Sequence, residues 1–174
     1  MDRIWEDECA VTASTVRPYQ EEDAPAACAV ITACIPMMTG LNVAARQLLR
    51  TKNRPGTLHA ELARYFTLVV VHGDTLVGVG ALDRQEIKRV YVDPTYQGCG
   101  YGRALLQQFE AEAQRRGIRE VWIESSPNAE RFYARWGYTA HTRDHLASDH
   151  ARFAFVRMSK VLGEKRDHGT GTMS

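Results

Sequence analysis

A turn with three alternate glycines joins a predicted strand to the longest predicted helix of the chain. The segment reads VYVDPTYQGCGYG over residues 90–102. Glycine adopts left-handed backbone angles and places no Cβ between the chain and a ligand. Because the first amides of a helix have no partner within it, the amides of Gly98, Gly100 and Gly102 would favour a phosphate. This part of the chain is therefore constrained to a strand, a tight anion-binding turn and a helix.

Two common nucleotide-binding motifs fit this turn poorly. A P-loop requires Gly-Lys-Ser/Thr after its last glycine, whereas Gly102 is followed by Arg103 and Ala104. The dinucleotide fingerprint reads GxGxxG near the start of a βαβ unit, whereas this turn reads GxGxG beyond the middle of the chain. The pattern predicts a phosphate site of another kind. The structural alternative is a connector that only lets strand and helix pack closely.

The remaining patterns predict an α/β domain. Apolar periodicity predicts helices at residues 24–34, 41–50, 102–116 and 128–136, and β-branched or aromatic runs predict strands at residues 15–18, 65–72, 75–82, 87–92, 118–124 and 153–158. Gly73 and Asp74 predict a hairpin turn. The strand–helix–strand unit around residues 91–124 predicts a parallel crossover, because two parallel strands need a long connection between them and a helix usually provides it. We therefore expect one central mixed, mostly antiparallel sheet flanked by helices.

Length and composition predict one globular domain whose net charge favours neither nucleic acid nor an anionic membrane. The chain has 174 residues, and its 22 Lys and Arg against 21 Asp and Glu leave a net charge of +1. This balance gives no electrostatic reason to bind nucleic acid or an anionic membrane. No apolar run is long enough to span a bilayer. We expect an N-terminal extension at residues 1–13, the domain at 14–161 and a flexible tail at 162–174.

The cysteines and histidines predict neither a metal site nor a disulfide framework. The four cysteines form no CxxC pair, and no Cys/His spacing matches structural zinc. We expect reduced thiols and a cytoplasmic protein. A polar segment before the last strand is interpreted as a solvated loop rather than a metal site, and it holds His141, Asp144, His145, Asp149 and His150.

Two motifs in order resemble the GNAT acyltransferase superfamily. Residues 97–102 match its Gln/Arg-x-x-Gly-x-Gly/Ala signature, and residues 128–138, which read NAERFYARWGY, resemble its Asn-x-x-x-x-Tyr-x-x-x-Gly-Phe/Tyr block. Residues 86–94 look like the family's fourth strand. The resemblance covers roughly residues 15–160. It implies a GNAT-like single α/β domain in which two parallel strands splay apart.

The resemblance also implies acetyl-CoA as co-substrate and no metal. The backbone of Tyr91 and Val92 would pair with the pantetheine arm and help to polarise the thioester carbonyl, and Asn128 would contact the same arm. Cys99 stands where the family often has a positive residue, which leaves Arg103 as the remaining charge. The residues expected to hold the pyrophosphate are Gln97, Gly98, Gly100, Gly102 and Arg103.

The family chemistry is direct transfer of acetyl to an amine, and it implies a general acid. Tyr133 matches the family's tyrosine that protonates the leaving thiolate, a role worth about 10²–10⁴-fold in rate. The alternative is an aromatic side chain that only packs beside Phe132.

A general base is the second catalytic role. Glu86 lies eleven residues before Gln97, where some family members place a catalytic glutamate. Two alternatives stay open, namely that Glu86 only pairs with Lys88, or that ordered water takes the proton. Glu124 is a further candidate.

The acceptor is predicted to be the primary amine of a small molecule. A protein or peptide amino group is the alternative within the same activity, and a CoA-binding module without turnover is the alternative outside it. In this family the loop between the first two helices lines the acceptor pocket, which assigns the apolar residues 34–38 to that wall. Family members often form homodimers, so a homodimer is the default expectation.

Overall fold

The computed structural model describes residues 14–148 and 150–163, which form a seven-stranded sheet with helices on both faces. The helices are α1 (Ala24–Cys34), α2 (Val43–Lys52), α3 (Pro55–Leu62), α4 (Tyr101–Arg115) and α5 (Glu130–Arg135). The strands are β1 (Ser14–Pro18), β2 (Phe66–His72), β3 (Thr75–Asp83), β4 (Glu86–Val92), β5 (Glu120–Ser125), β6 (Thr139–Ser148) and β7 (Ala151–Val161).

The sheet order is β1-β2-β3-β4-β5-β7-β6, and β4 with β5 is its parallel pair. The other neighbouring strands run antiparallel. This arrangement confirms the predicted mixed sheet with one parallel crossover through α4.

Both faces of the sheet are covered, which explains why β2 is apolar at consecutive positions. Val69 packs in one core cluster with Ile31 of α1, whereas Leu68 and Val70 pack in the other with Phe109 of α4. Successive side chains of a strand point to opposite faces, so a strand buried on both sides needs apolar residues throughout.

Two predictions are wrong, and both concern segments without a clear period. No element was predicted between residues 50 and 65, although Pro55 begins α3 there and its Leu58 and Leu62 are buried. The predicted loop around His141 and His145 is strand β6, although all its residues are exposed. Backbone pairing with β7 holds this edge strand, and backbone pairing leaves no trace in side-chain polarity.

The strands β4 and β5 separate soon after they meet. Among the described residues one pair is in register between them, Glu86 with Trp122, and the Trp122 amide donates to the Gln85 carbonyl at 3.0 Å. Beyond that pair the two strands enclose a wedge that opens towards Val92.

A bulge in β4 accounts for the separation. The pairing of β4 with β3 shifts register between Val79 and Ala81, and Arg89 has a φ of 58°. An extra residue on one strand bends that strand and raises its local twist. The Arg89 guanidinium stabilises this conformation through the Glu61 carboxylate, with the closer contact at 2.7 Å.

The described chain ends slightly beyond the predicted domain boundary. Leu162 is buried, and its amide donates to the Arg119 carbonyl at 2.7 Å. The Gln114 side chain donates to the Gly163 carbonyl at 2.7 Å. The predicted extension at residues 1–13 lies outside the described residues, and so does the predicted tail at 162–174 apart from Leu162 and Gly163. In the part that is described, every helix is too short or too polar to cross a membrane.

Candidate active site

A cleft runs through the sheet where β4 and β5 separate. On one side lies the wedge cavity, about 290 Å³, between β4, β5 and residues 34–38. On the other side lies the turn cavity, about 430 Å³, between the glycine turn and α5. The two cavities adjoin each other, because they share the lining residues Val90, Val92, Gln97, Asn128, Ala129 and Tyr133.

The glycine turn leaves space where side chains would otherwise stand. Gly98 and Gly100 have φ angles of 88° and 83°, and a Cβ built on either meets no atom within 4 Å. Gly100 is the N-cap of α4 and provides no side-chain cap, so the amides of the first turn lack a helical partner. The backbone therefore presents an open cradle of donors to the turn cavity.

Gly102 is required for a different reason. A Cβ there would lie 2.9 Å from the Phe132 ring, so the absence of a side chain lets α4 approach α5. The packing alternative considered for the glycine turn therefore applies at this glycine, whereas Gly98 and Gly100 border open space.

Two guanidinium groups line the turn cavity. Arg103, predicted from the sequence, stacks on Trp136 with its Cζ 4.3 Å from the ring centroid. Arg135, at the end of α5, was not predicted. It adds a second cation to the lining of the turn cavity. The signal for it was weak, since an arginine in a short helix carries no motif.

Gln97 lies at the junction of the two cavities and closes the end of β4. Its side-chain amide donates to the Val92 carbonyl at 3.1 Å, and the Cys34 thiol donates to the same oxygen at 3.2 Å. A carbonyl has two acceptor positions. A ligand that pairs with this carbonyl must therefore displace one of the two side chains.

Tyr133 lies at the centre of the cleft. Only 5% of its surface is exposed, and its ring packs edge-on against Phe132 and Tyr138 at centroid distances of 5.0 and 5.8 Å. Burial, with a smaller contribution from Tyr91, raises the pKa of the Tyr133 phenol far above its usual value. The phenol therefore keeps its proton at neutral pH and can donate it. Packing against Phe132, the alternative from the sequence, is present as well.

Tyr138 fixes the back of the Tyr133 ring. Its hydroxyl donates to the Glu110 carboxylate at 3.1 Å, and Lys160 donates to the same carboxylate at 2.7 Å. This network joins α4 and β7 behind α5.

Glu86 lines the wedge cavity at its narrow end. Its carboxylate lies 2.7 Å from the Lys88 ammonium, which also contacts Asp83 at 3.2 Å. The ion pair that the sequence offered as an alternative is therefore formed, although the carboxylate still borders the cavity. Glu124 lines the same cavity from β5, and its carboxylate accepts from Arg157 at 2.5 Å.

Asn128 borders both cavities, and its side chain has a partner on the opposite wall. Its amide oxygen accepts from the Thr39 backbone at 3.0 Å and from the Thr39 hydroxyl at 3.4 Å. The structure thus brings every predicted site residue to the cleft or its rim. Tyr91 lines the wedge cavity from β4.

The described histidines and cysteines form no cluster of metal-ligating side chains. Among residues 14–148 and 150–163, no three His, Cys, Asp or Glu side chains converge to hold an ion, and Asp149 lies outside the described residues. Cys28 and Cys34 are buried free thiols. Cys99 is disulfide-bonded, so the expectation of reduced thiols is wrong at that residue.

Comparison with known proteins agrees with this fold. A family model described as an acetyltransferase (GNAT) domain matches residues 44–162, about two thirds of the chain. A GCN5-related N-acetyltransferase structure from Rhodopseudomonas palustris has a TM-score of 0.80 at 27% identity, covering 87% of this chain and 98% of that one. The chain belongs to the GNAT acetyltransferase family.

Two further proteins extend the comparison. A PaiA N-acetyltransferase from Thermoplasma acidophilum, crystallised with coenzyme A, shares the fold with a TM-score of 0.69 at 19% identity over 86% of this chain and 99% of that chain. A [ribosomal protein bS18]-alanine N-acetyltransferase from Haemophilus influenzae is 30% identical over 81 residues. That alignment covers 43% of this chain and 56% of the relative, so the chain spans about half the length of this curated relative.

Proposed function

We propose that this protein transfers the acetyl group of acetyl-CoA directly to the primary amine of a small molecule. The observation that carries the proposal is the cleft itself, in which an open glycine cradle, two splayed strands and a buried phenol meet. Family membership supports the reaction type, and the neighbour crystallised with coenzyme A supports the cofactor.

The residues present fit the phosphates and the arm of acetyl-CoA. The cradle at Gly98 and Gly100 offers amide donors and space, while Arg103 and Arg135 offer positive charge. The backbone of Tyr91, with that of Val92, borders the passage from the turn cavity to the wedge cavity. Acetyl-CoA supplies the activated acetyl thioester.

The chain's own groups then move two protons. Glu86, directly or through a water, takes a proton from the acceptor ammonium in the wedge cavity. The amine nitrogen forms a bond to the acetyl carbon as the carbon–sulfur bond breaks. Tyr133, which its raised pKa keeps protonated beforehand, gives its proton to the departing sulfur and regains one from the acetylated nitrogen, which loses its second proton to become the amide. No metal is required in this scheme.

Thiol release from acetyl-CoA tests the activity. We expect release that depends on an added primary amine, with the N-acetylated amine identified by mass spectrometry. Binding of acetyl-CoA with no amine-dependent release from any amine or peptide would instead indicate the CoA-binding module.

A protein amino group is the second candidate acceptor. The similarity to a [ribosomal protein bS18]-alanine N-acetyltransferase favours it, although that similarity spans about half of the relative. A cytoplasmic location and a homodimer stay predictions from the sequence and the family resemblance.

Replacement of Glu86 tests the base. We expect Glu86→Gln to lower kcat by about 10²-fold, because general base assistance of this size is lost. Glu124→Gln is the matched control, since Glu124 lines the same cavity but pairs with Arg157 at its exposed side. Steady-state rates of the two variants measure the difference. Equal losses, or loss only in Glu124→Gln, would remove Glu86 from this role.

His72 is a positioning residue for the cradle. Its Nδ1 lies 2.5 Å from the hydroxyl of Tyr101, the first residue of α4, and its ring packs 5.3 Å from Tyr96. We expect His72→Ala to weaken acetyl-CoA binding about tenfold with kcat unchanged, because one hydrogen bond at the turn is lost. His72→Gln, which can restore that bond, should recover most of the affinity in calorimetry. A fall in kcat with unchanged affinity would contradict this role.

A further inference from the structure

We infer that residues 35–42, here called the strap, close the wedge cavity against polypeptides, so that the acceptor is a small cationic amine. The inference rests on the proposed function, and it concerns which amines reach the cleft. The strap connects α1 to α2 and carries Met38, which lines the wedge cavity.

The first half of the strap is tied to α2. The Arg46 guanidinium donates to the Ile35 carbonyl at 2.5 Å and to the Met38 carbonyl at 2.7 Å. Bonds from a charged donor are stronger than neutral ones. Two of the strap's carbonyls are thus occupied before any ligand arrives.

The middle of the strap is tied to the opposite side of the cleft. The Thr39 amide donates to the Asn128 side chain at 3.0 Å, which joins the strap to the β5–α5 connection. The Gly40 carbonyl accepts from the Ala154 amide of β7 at 2.8 Å. The strap therefore reaches from the end of α1 to β7.

The last residues of the strap continue this pairing. Leu41 forms an antiparallel bridge with Phe153. The Asn42 side chain donates to the His150 carbonyl at 2.7 Å and accepts from the Arg152 amide at 3.1 Å. A peptide acceptor that paired with the strap or with this part of β7 would find these backbone groups already bonded to each other.

Close packing leaves no space between the strap and β7. Gly40 has a φ of 78°, and a Cβ on it would lie 2.7 Å from the Ala154 Cβ and 3.3 Å from the Pro127 side chain. An extended peptide needs a continuous groove about as wide as the spacing of neighbouring strands, roughly 4.8 Å. Such a groove is absent along the described contact of the strap with β7.

Charge around the wedge cavity favours a small cation. Carboxylates stand on both strands, Glu86 on β4 and Glu124 on β5. With the ion-pair partners of these lining residues included, three cations (Lys88, Arg89 and Arg157) stand against four carboxylates (Glu61, Asp83, Glu86 and Glu124), which leaves one negative charge. A protonated amine is thus the ligand that the remaining charge attracts. The volume of about 290 Å³ lies just below the range for small-molecule sites, about 300–1,000 Å³, and the acceptor must share it with the acetyl end of the cofactor.

Matched acceptors test the inference. The native protein is given acetyl-CoA with free diamines, amino sugars and alanine amide, and separately with ten-residue peptides that begin with alanine or contain one lysine. We expect kcat/KM for the best free amine to exceed that for either peptide by at least about 10²-fold, a discrimination of the size that site contacts supply. A peptide used as well as the best free amine would overturn the strap's role while leaving the proposed acetyl transfer intact.

Two variants and one measurement without turnover complete the test. Gly40→Ala should lower the preference for free amines about tenfold by lifting the strap from β7, and acetyl-CoA affinity should stay unchanged. Gly117→Ala is the matched control, because its φ of 73° gives a similar backbone strain and a Cβ there meets no atom within 4 Å. Asn42→Asp, which keeps the acceptor oxygen but loses the donor to His150, should shift the preference in the same direction. An unchanged preference in both variants would overturn the inference.

Hydrogen exchange measures whether the strap is bonded to its neighbours, even if no acceptor is found. The amides of Thr39 and Ala154 should exchange far more slowly than those of an open loop, because both are bonded across the strap. Exchange of both amides at the rate of an unstructured chain would overturn the closure. That outcome is distinct from failure of the proposed function, which appears as absent acetyl-CoA binding or absent transfer.

Discussion

Tyr133→Phe lowers kcat for acetyl transfer by about 10²–10³-fold and leaves acetyl-CoA affinity nearly unchanged, because a buried proton donor is removed while the ring remains. Phenylalanine fills almost the same volume between Phe132 and Tyr138, so the packing of α5 should persist. Single-turnover rates with saturating amine, together with calorimetric affinities, measure the two quantities separately.

Tyr138→Phe is the matched control for this prediction. It removes a hydroxyl bonded to Glu110, outside the cleft, and keeps a ring next to Tyr133. Its kcat should stay close to that of the native protein. In the native protein, the raised pKa of Tyr133 predicts no loss of rate from its deprotonation as the pH approaches 10. Equal turnover by Tyr133→Phe and the native protein would exclude Tyr133 as the acid.

Gly100→Leu abolishes acetyl-CoA binding in the same calorimetric experiment. The glycine has a φ of 83° and borders open space, so the new side chain would occupy the cradle itself. It would also strain a left-handed backbone position by roughly 1–2 kcal/mol. A loss of binding therefore has two physical sources, which a control must separate.

Gly117→Leu separates them, because Gly117 lies just after the other end of α4. Its φ is 73°, and a Cβ there also meets no atom within 4 Å. The backbone strain is thus similar, whereas the position is not part of the cleft lining. We expect a comparable loss of thermal stability in both variants and a loss of affinity in Gly100→Leu alone. Undiminished affinity in Gly100→Leu would exclude the cradle as the phosphate site.

The parts of the site that are formed by residues close together in the sequence could be predicted. The turn at Gly98 and Gly100 and the helix that follows it depend on neighbouring residues, and both are present as expected. The parallel pairing of β4 with β5 follows from the strand–helix–strand order. These features depend on the glycines of the turn and on the order of strand and helix along the chain, and the sequence contains both.

The parts that depend on distant residues could not be predicted. The pairing of Asn128 with Thr39 joins positions 89 residues apart, and no local pattern indicates it. Arg135 gains its place in the turn cavity only because α5 packs beside the glycine turn. Strand β6 lacks an apolar face, so its side chains gave no sign of the pairing with β7.

The bulge at Arg89 is a further case of this kind. Its positive φ is unusual for a residue with a side chain, and the ion pair with Glu61 of α3 compensates for it. Because α3 was not predicted, neither was this support. The wedge between β4 and β5 was expected from the family resemblance alone, and its physical cause is visible only in the folded chain.

Isothermal titration with acetyl-CoA, and separately with NAD and ATP at the same concentrations, tests the central claim most directly. The three ligands share a pyrophosphate, whereas acetyl-CoA alone has an arm that can enter between β4 and β5. The account predicts binding of acetyl-CoA to one site per chain, with much weaker binding of NAD and ATP. Absent binding of acetyl-CoA, or equal affinity for ATP, would contradict the assignment of the cleft.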